Sequence, residues 1–576
     1  MCNDLEFATF GRLPVLMQLI GTASASMHYQ EKLVILVPKR IRGFRVPNQF
    51  LSGVKPCARS FLVVAITTIA LSACGGSGAT SPQSSPQSSP QSSTPQLSQA
   101  ETSAVEIVGN SRPGVSPFIS FLQFQGTGVL NLAALEFTIA PKPGTVSKPV
   151  DVWYSMTALI NRGYVSIYKG IVTLPVFGLY ADYVNQVSVQ LQFRDGSTQT
   201  LAVNIPTGAY TDPTGVYAQP TILKNRDPSS TLGFDFFFIK SGLGSPVVVD
   251  TDGEVRWAVP SVPRSIPSTY QDGEFVIGDT AAPTIHRLQL DGTLTQTTVP
   301  SPTINNFAHN VDHGKFGLLA EVDTLSGSVS NIESTVAEIN DRGAILHVWD
   351  LAAIISAYMQ SQGDDPSSFV RPGADWFHSN AAIYDPSDDS IIVSSRESFV
   401  IKLDYRTGNI IWILGDPTKY WYSFPSLRAK ALTLAAGGLY PIGQHGISLT
   451  SDGLLMLFND GTASISQPAG APVGESRSYS AVSAYSINAA SMTAQEVWRF
   501  DDGQTIYSDF CGSAYEARGH SILVDYARAD NGTESRLVGL DANHNVVFDF
   551  QYSNSPTTCD TSWNAVPIPF DNLVIN

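Results

Sequence analysis

The sequence has few charged residues for its length, and most of those are acidic. Asp, Glu, Lys and Arg make up 15% of the 576 residues, with 34 basic against 50 acidic side chains. A chain with a net charge of −16 lacks the basic surface on which binding to nucleic acids depends, so we expect no nucleic-acid partner. The hydrophobic fraction of 43% is that of a globular protein, and the length predicts two or more folded units.

Cysteine is also scarce, and three of the five cysteines lie near the start of the chain. Cys2, Cys57 and Cys74 precede the long region of β-type sequence, which leaves Cys511 and Cys559 for the expected folded part. Two cysteines in an oxidising compartment can pair. The sequence therefore predicts either a Cys511–Cys559 disulfide or a free cysteine buried inside the fold.

The segment before Cys74 has the pattern of an export signal. Lys55 and Arg59 precede the apolar run FLVVAITTIA, which is followed by LSAC and two glycines. An apolar run of about ten residues after a basic end is typical of a secretory signal peptide and is too short to cross a bilayer permanently. The cysteine after LSA is typical of a lipobox, so we expect lipidation of Cys74 and an exported lipoprotein, in the periplasm or anchored to the outer membrane. The alternative is a plain secretion signal with an incidental cysteine.

Two further segments flank this signal. Residues 1–53 do not fit an export signal, which should begin the chain, and we expect the leader of 1–73 to start near Val54 in the natural precursor. Residues 74–101, rich in Ser, Pro and Gln, cannot bury a core and are expected to form a tether.

Residues 102–206 alternate apolar and polar side chains, and helix patterns are lacking. Runs such as ALEFTIAP, VDVWYSM and NQVSVQLQF are separated by turns that contain Gly, Pro or Asn. Many short strands at this spacing predict an immunoglobulin-like β-sandwich. No residue in the segment stands out chemically, so we expect a supporting domain, or one through which two chains form a homodimer.

Residues 207–576 contain a loose repeat of apolar strands and Gly or Asp turns. The spacings of roughly 40 to 70 residues are typical of propellers with variable loops. Each copy would form one four-stranded meander, so the sequence predicts an all-β protein with a six-bladed β-propeller behind the sandwich. The six copies begin around Ser245, Gln271, His309, His378, His445 and Cys511.

Three histidines occupy the same place in successive copies. His309, His378 and His445 each stand just ahead of the expected innermost strand. Innermost strands of a propeller converge on its axis, so equivalent positions point at one central cavity. The phase of the repeat therefore predicts that the three imidazoles meet.

Specific motifs surround two of these histidines. The stretch from Asp375 to Trp412 contains DWFHSNAAIYD and SIIVSSR, and the later segment GQHGISLTSDG contains His445. These motifs resemble the signature of the bacterial aryl-sulfate sulfotransferases, which use an active-site histidine and no nucleotide sulfate carrier. The resemblance covers about residues 102 to 576 and is strongest from 375 to 461.

The resemblance implies roles for five residues. In that family the counterparts of His378, Asn380 and Arg396 line a sulfate pocket, and His445 corresponds to the nucleophile. His309 and His378 are then expected to bind sulfate and to transfer protons, without a division of roles between them. The expected substrates are an aryl sulfate donor and a phenolic acceptor, and no cofactor is expected.

The residue types suit this chemistry. A neutral imidazole can attack the sulfur of an aryl sulfate, which gives a sulfohistidine, and a second phenol would then accept the sulfuryl group by ping-pong kinetics. Arg396 offers a fork of donors that suits a tetrahedral anion, and Asn380 can add an amide donor. Asp312 and Asp375 are weaker candidates for orienting the histidine rings.

Three other functions remain open. The histidines could bind zinc in a metal-dependent hydrolase, although the H-E-x-x-H spacing is absent and Arg396 would repel a cation, so we expect no metal. A propeller oxidoreductase would need a cofactor motif, and none is visible. A catalytically silent surface propeller that binds a ligand or a partner is the third alternative. The Walker-type loop G-x-x-x-x-G-K-[ST] is also absent, which disfavours a nucleotide sulfate donor.

The chain departs from the family in one respect. Its members carry a short-range disulfide before the nucleophilic histidine, whereas the corresponding loop, residues 417–443, has no cysteine. We therefore expect the loop on the acceptor side to differ, and the sequence leaves the identity of donor and acceptor open.

Overall fold

The computed structural model of the protein describes residues 104–260 and 263–576. The expected leader of 1–73, the tether of 74–101 and the lipidation site Cys74 lie outside these residues. Within the described part, no helix is both long enough and apolar enough to cross a bilayer.

The N-terminal part is a sandwich of two sheets, as the alternating pattern predicts. Along the strand Val184–Phe193, every second residue is buried, so that Val187, Val189 and Leu191 face the core while their neighbours face solvent. The strands are β1 (Glu106–Ile107), β2 (Arg112–Pro113), β3 (Ile119–Gln125), β4 (Leu132–Ile139), β5 (Val150–Ser155), β6 (Val165–Ser166), β7 (Ile171–Phe177), β8 (Val184–Phe193) and β9 (Thr198–Pro206).

One short helix interrupts the sandwich, although the sequence shows no helical pattern there. Helix α1 (Met156–Asn161) follows β5, and the hydroxyl of its N-cap residue, Ser155, accepts a hydrogen bond of 3.0 Å from the backbone N–H of Ala158. A serine at this place satisfies one of the unpaired N–H groups of the first turn. A helix of six residues is too short to give a readable period of its own.

The remaining strands follow the sandwich along the chain, together with helices α2 (Leu351–Ser361) and α3 (Pro425–Arg428). The first of these strands are β10 (Thr221–Lys224), β11 (Phe236–Lys240), β12 (Val247–Asp250), β13 (Val255–Trp257), β14 (Ser268–Gln271), β15 (Glu274–Gly278), β16 (Thr284–Gln289), β17 (Leu294–Thr298), β18 (Ile304–His313), β19 (Leu318–Ser326), β20 (Val329–Ile339) and β21 (Ile345–Asp350). The others are β22 (Ser379–Asp385), β23 (Ser390–Ser395), β24 (Val400–Asp404), β25 (Ile410–Leu414), β26 (Thr433–Leu434), β27 (Gln444–Leu449), β28 (Leu455–Asn459), β29 (Ala481–Asn488), β30 (Thr493–Phe500), β31 (Ser513–Glu516), β32 (Ile522–Ala529), β33 (Glu534–Leu540), β34 (Val546–Ser553), β35 (Asn564–Pro567) and β36 (Leu573–Ile575).

Beyond the sandwich, the described strands pair into six sheets of four or five strands. From the inside outward, the sheets are β35-β11-β12-β13, β14 to β17 in order, β18 to β21, β22 to β25, β27-β28-β29-β30-β26, and β31-β32-β33-β34-β10. We number them first to sixth in this order. Innermost strands of neighbouring sheets contact one another. The contacting pairs are β14 and β18, β18 and β22, β22 and β27, β27 and β31, and β31 and β35. The protein is therefore a β-propeller with a sandwich domain in front of it, in agreement with the predicted all-β fold class.

The tryptophans at the ends of the repeat copies join neighbouring sheets. Trp257 in the first sheet donates its indole N–H to the carbonyl oxygen of Leu290 in the second at 2.8 Å. Trp349 in the third sheet donates to the carbonyl oxygen of Tyr405 in the fourth at 3.1 Å. These residues hold adjacent sheets together.

The end of the chain closes the ring in a way that the repeat pattern does not predict. Strand β35 becomes the innermost strand of the first sheet by pairing with β11, while β10, from the start of the repeat region, pairs with the outer edge of the sixth sheet. Strand β36 leaves the propeller and pairs in parallel with β5 of the sandwich. Three residues at the end of the region predicted as propeller, 207–576, thus pair with a sheet of the sandwich domain.

A disulfide lies where the first and sixth sheets of the ring meet. Cys511 and Cys559 are bonded to each other, which decides between the two alternatives that the sequence leaves open. Cys511 precedes β31, the inner strand of the sixth sheet, and Cys559 precedes β35, the inner strand of the first sheet. The crosslink therefore connects the two sheets between which the ring closes.

Removal of residues 564–576 should prevent the propeller from folding. The deletion takes away β35, which leaves the backbone groups of β11 without partners at the ring axis. We expect loss of the cooperative thermal transition, measured by circular dichroism.

The matched control deletes only residues 573–576. This change removes the buried side chains of Leu573 and Ile575 from the sandwich and should cost about 3 to 6 kcal/mol, with a cooperative transition retained at lower temperature. Equal melting behaviour of the two deletions would contradict the closing role of β35.

Candidate functional site

The structure brings the three predicted histidines to one site on neighbouring inner strands, although His309 lies within β18 rather than ahead of it. His309 lies in β18, His378 directly precedes β22, and His445 lies in β27. The ring centroids of His309 and His378 are 4.7 Å apart. The ring of Phe510 lies between the other pair, with centroids 6.2 Å from His378 and 6.1 Å from His445. The three imidazoles belong to the third, fourth and fifth sheets, so the packing of these neighbouring sheets brings them together.

His378 is held between two carboxylates. Its Nδ1 lies 2.6 Å from Oδ2 of Asp375 and 2.9 Å from Oε2 of Glu333. Burial alone would lower the pKa of His378, but hydrogen bonds and charges from Asp375 and Glu333 outweigh burial and raise this pKa to about 10. His378 is therefore an imidazolium at neutral pH. The predicted orienting role of Asp375 agrees with this contact.

The backbone at His378 adopts an unusual conformation to make this arrangement. Its φ angle is +52°, in the left-handed region that non-glycine residues rarely adopt. Its carbonyl oxygen accepts a hydrogen bond of 3.0 Å from the backbone N–H of Arg396. The turn thus links the entry of β22 to the end of β23 and aims the imidazole at Glu333.

His309 is a buried, neutral imidazole. Its Nδ1 donates to the carbonyl oxygen of Ser379 at 2.8 Å, which leaves the lone pair on Nε2. Burial lowers the pKa of His309; Glu333 acts in the opposite direction, and the charge of His378 lowers it further. The indole of Trp563 stacks on the ring, with centroids 4.9 Å apart and planes inclined by 11°.

His445 has the properties of a nucleophile. Its Nδ1 donates to the carbonyl oxygen of Gly443 at 2.8 Å, so Nε2 carries the lone pair. This Nε2 is buried and makes no hydrogen bond to any residue that the structure describes. Burial and then the charge of Arg396 hold the pKa of His445 well below its usual 6.5. The imidazole is therefore neutral, with a free electron pair.

The turn before His445 requires glycine. Gly443 has a φ angle of +57°, and a Cβ built there would lie 1.7 Å from Oδ1 of Asp460. Only the absence of a side chain allows the backbone to approach this carboxylate. Asp460 in turn lies 3.8 Å from Nδ1 of His445, and burial raises its pKa to about 7.

Arg396 places a cation next to His445. Its side chain is fully buried, and its Nη1 donates to Oε1 of Glu397 at 2.8 Å, while Nε lies 3.3 Å from Oδ2 of Asp460. Its Nη2 makes no hydrogen bond within the described part of the chain. The ring of Phe510 covers the guanidinium at 4.1 Å. A buried guanidinium with a free N–H donor can bind an oxyanion.

Two predicted residues differ from expectation. The Nδ2 of Asn380 donates to the carbonyl oxygen of Gln444 at 2.8 Å, so one of its amide hydrogens joins β22 to β27. Asp312 does not orient a site histidine; its carboxylate accepts from the backbone N–H of His313 at 2.7 Å, and it lines a separate cavity of about 550 Å³. That cavity lies at the other ends of the inner strands and contains none of the three imidazoles.

Glu333 is the residue of the site that sequence reasoning missed. It lies in β20, far from the repeat position that marks the histidines, and reaches both His378 and His309, at 3.5 Å from Nδ1 of the latter. Among the described residues, His309, Glu333 and His378 form the group that could hold a metal ion. His445 is outside this group, so the structure does not gather the three histidines as one metal site. Nδ1 of His378 already makes a hydrogen bond to Asp375 and lies 2.9 Å from Glu333, which opposes its use as a ligand.

The family model "Arylsulfotransferase (ASST)" matches residues 223–564, and the model "Arylsulfotransferase Ig-like domain" matches residues 131–208. "Arylsulfate sulfotransferase AssT" of Escherichia coli O6:H1 (strain CFT073) is 27% identical over 226 residues, which are 31% of this chain and 37% of that protein. The protein of the same name from Lelliottia amnigena is 26% identical over 226 residues, with the same shares. The match thus spans little more than a third of these relatives.

Solved structures show only a distant likeness. The β-propeller domain of Cps50 (Swd1) from Myceliophteria thermophila has 10% sequence identity and a TM-score of 0.30, and the alignment covers 58% of this chain and 100% of that one. A TM-score this low carries no argument about fold or function.

Substitution Glu333→Gln should lower the pKa of His378 from about 10 toward its usual 6.5, because one of the two carboxylates that hold the proton becomes neutral. The pKa of His309 should fall further for the same reason. NMR titration of the imidazole nitrogens would measure both values.

Glu338→Gln is the matched control. Glu338 is a buried carboxylate of the same strand, but it accepts from the backbone N–H groups of Phe316 and Gly317. Its substitution should leave both histidine titrations in place. An unchanged titration of His378 in the Glu333→Gln protein would show that Asp375 alone holds the proton.

Proposed function

Because the chain belongs to the arylsulfotransferase family, we propose that it transfers a sulfuryl group from an aryl sulfate to a phenol by way of His445. The observation that carries this proposal is that an imidazole nitrogen with a free lone pair lies near a guanidinium with a free N–H donor. Nε2 of His445 and Nη2 of Arg396 are both buried, and neither has a hydrogen-bond partner among the described residues. Buried polar atoms are nearly always satisfied, so such a pair points to a ligand that brings both an electrophile and an anion. A sulfate ester brings both.

In the first step, His445 acts as the nucleophile. The sulfate oxygens are bound by Arg396 and by the imidazolium of His378, and Nε2 of His445 attacks the sulfur. A nitrogen–sulfur bond forms, and the bond between sulfur and the phenolic oxygen breaks. The leaving phenolate takes the proton from Nε2 of His378, because Nδ1 of that ring stays bonded to Asp375 and Glu333.

The proton affinities support this transfer. The pKa of His378 is raised to about 10, which is close to the reference value of about 10 for a phenol such as the tyrosine side chain. A general acid matched to its leaving group gives up its proton with little change in free energy. The same residue, now neutral, can take the proton of the acceptor phenol in the second step.

In the second step, the acceptor phenolate attacks the sulfohistidine. The new sulfur–oxygen bond forms, the nitrogen–sulfur bond breaks, and His445 returns to its neutral state. Donor and acceptor thus use the site in turn, which gives ping-pong kinetics. His309, whose pKa is lowered by burial, is assigned to holding the substrate, and proton transfer is assigned to His378.

A metal-dependent hydrolase is kept as a second candidate because His309, Glu333 and His378 could hold a metal ion. In such an enzyme the product would be sulfate rather than a sulfated phenol. A chelator would abolish its activity, whereas transfer through His445 needs no metal.

Incubation with a chromogenic aryl sulfate in the absence of an acceptor should leave one sulfuryl group on His445. We expect a burst of phenol equal to the enzyme concentration, and mass spectrometry of the quenched protein should place the modification on the peptide that contains His445. His445→Asn should show neither burst nor modification. His313→Asn, a change at an exposed histidine of β18, should show both.

The outcomes separate the candidates. A burst that persists with excess chelator excludes the hydrolase. Turnover without any covalent modification of His445 would refute the sulfohistidine, and no turnover at all would favour a catalytically silent binding protein.

We also propose that the protein is exported and anchored to a membrane by a lipid on Cys74, which lies outside the described residues. In a bacterial host, Cys74→Ser should move the protein from the membrane fraction to the soluble fraction, whereas Cys57→Ser should leave it in the membrane, since Cys57 lies inside the expected signal peptide. A Cys74→Ser protein that stays with the membrane would contradict the anchor. Sedimentation of the soluble variant would measure whether the sandwich domain joins two chains.

A further inference from the structure

The Cys511–Cys559 disulfide is the centre of a small apolar cluster next to the site. Both cysteines are buried and form a cluster with Ala527 of β32. Two half-buried aromatic residues pack against this cluster, namely Phe510 and Trp563. Phe510 adjoins Cys511 directly, and Trp563 follows Cys559 by four residues.

These two aromatic residues contact every group that the proposed reaction uses. Phe510 lies against His378 and His445 and covers the guanidinium of Arg396. Trp563 stacks on His309. Phe510 and Trp563 do not come from the sheets that carry the three histidines. They lie in the loops that lead into β31 of the sixth sheet and β35 of the first sheet, and we call these two residues the walls of the site.

We propose that the Cys511–Cys559 disulfide positions Phe510 and Trp563 against the imidazoles and the guanidinium, so that sulfuryl transfer depends on the oxidation state of this cysteine pair. The inference rests on the proposed function for its effect on rate. Phe510 and Trp563 are positioning residues in this scheme, because they act through the groups that they cover.

The effect follows from the exclusion of water. Burial is the largest cause of the lowered pKa of His445, and the charge of Arg396 is the next. The charged or titratable groups that face His445 are Arg396, Asp460, His378 and His309. If Phe510 and Trp563 move away, the charged and titratable groups stay on their own strands, while water reaches the imidazole ring of His445. The pKa of His445 should then rise toward its usual 6.5, and the donors for sulfate should weaken in a medium of higher dielectric constant.

The redox step needs a co-reactant of the dithiol class. A dithiol transfers two electrons and two protons to the disulfide, which yields the free thiols of Cys511 and Cys559 and the oxidised, cyclic form of the reductant. Because both sulfur atoms are buried in the cluster, substitution is a cleaner probe than reduction.

The test uses the full chain with Cys511→Ala and Cys559→Ala combined. We expect kcat/KM for an aryl sulfate to fall by roughly 10- to 100-fold, as is typical when reacting groups are displaced by about 1 Å. We also expect the acidic limb of the pH–rate profile to move to higher pH, because protonation of His445 removes the nucleophile. Circular dichroism should show the same fold as the wild type. A folded double variant with unchanged kcat/KM and an unchanged acidic limb would overturn the proposal.

A second pair of variants covers the case in which the double variant does not fold. Phe510→Leu and Trp563→Leu keep the disulfide but replace an aromatic ring of the walls by a smaller side chain. Each should move the acidic limb of the pH–rate profile to higher pH. Phe316→Leu, at an aromatic residue that is 68% exposed and remote from the three imidazoles, should not. If neither wall variant moves the limb, the aromatic pair does not control the site and the proposal fails.

A measurement without substrate separates this proposal from the proposed function. NMR titration of the His445 ring in the wild type and in the double variant should show the rise in pKa even if no aryl sulfate is turned over. Turnover by the wild type with identical titrations in both proteins would refute the positioning role alone, whereas a shifted titration without turnover would refute the sulfotransferase activity alone.

Discussion

The structure depends on the burial of one cation at the ring axis. Arg396 is fully buried beside His445, and a guanidinium in that position is costly unless carboxylates and hydrogen bonds compensate. Glu397 and Asp460 compensate in part, but Nη2 has no partner within the described chain. A bound oxyanion would supply the missing acceptor. Burial, and then the charge of Arg396, hold the pKa of the neighbouring His445 well below its usual 6.5.

Three histidines in similar burial reach opposite states of protonation, and two carboxylates account for the difference. Burial lowers the pKa of all three rings, and for His309 and His445 it prevails. Only His378 has both Asp375 and Glu333 on its Nδ1, and they reverse the effect. Environment rather than residue type thus separates two neutral imidazoles from a charged one, a division that the repeat phase alone cannot provide.

The sequence predicts those parts of the molecule that repeat or alternate. Period-two strands predict the sandwich and the propeller, and the shared phase of the three histidines predicts their meeting. What it misses depends on pairing between distant segments. Glu333 stands at no repeated position and reaches His378 only because the third sheet lies beside the fourth. Strand β36 carries no repeat signal, and the carbonyl that engages Asn380 belongs to Gln444 of the next sheet. Such contacts are set by packing between elements rather than by local pattern.

Closure of the ring and completion of the site are one event in this fold. The first sheet receives its inner strand, β35, from the end of the chain, and the loop that leads into β35 carries Trp563 to the ring of His309. The neighbouring inner strand β31 is preceded by Phe510, which covers Arg396. The low dielectric environment on which the pKa values depend is therefore completed by residues from the place where the two ends of the propeller meet, and the disulfide lies there too.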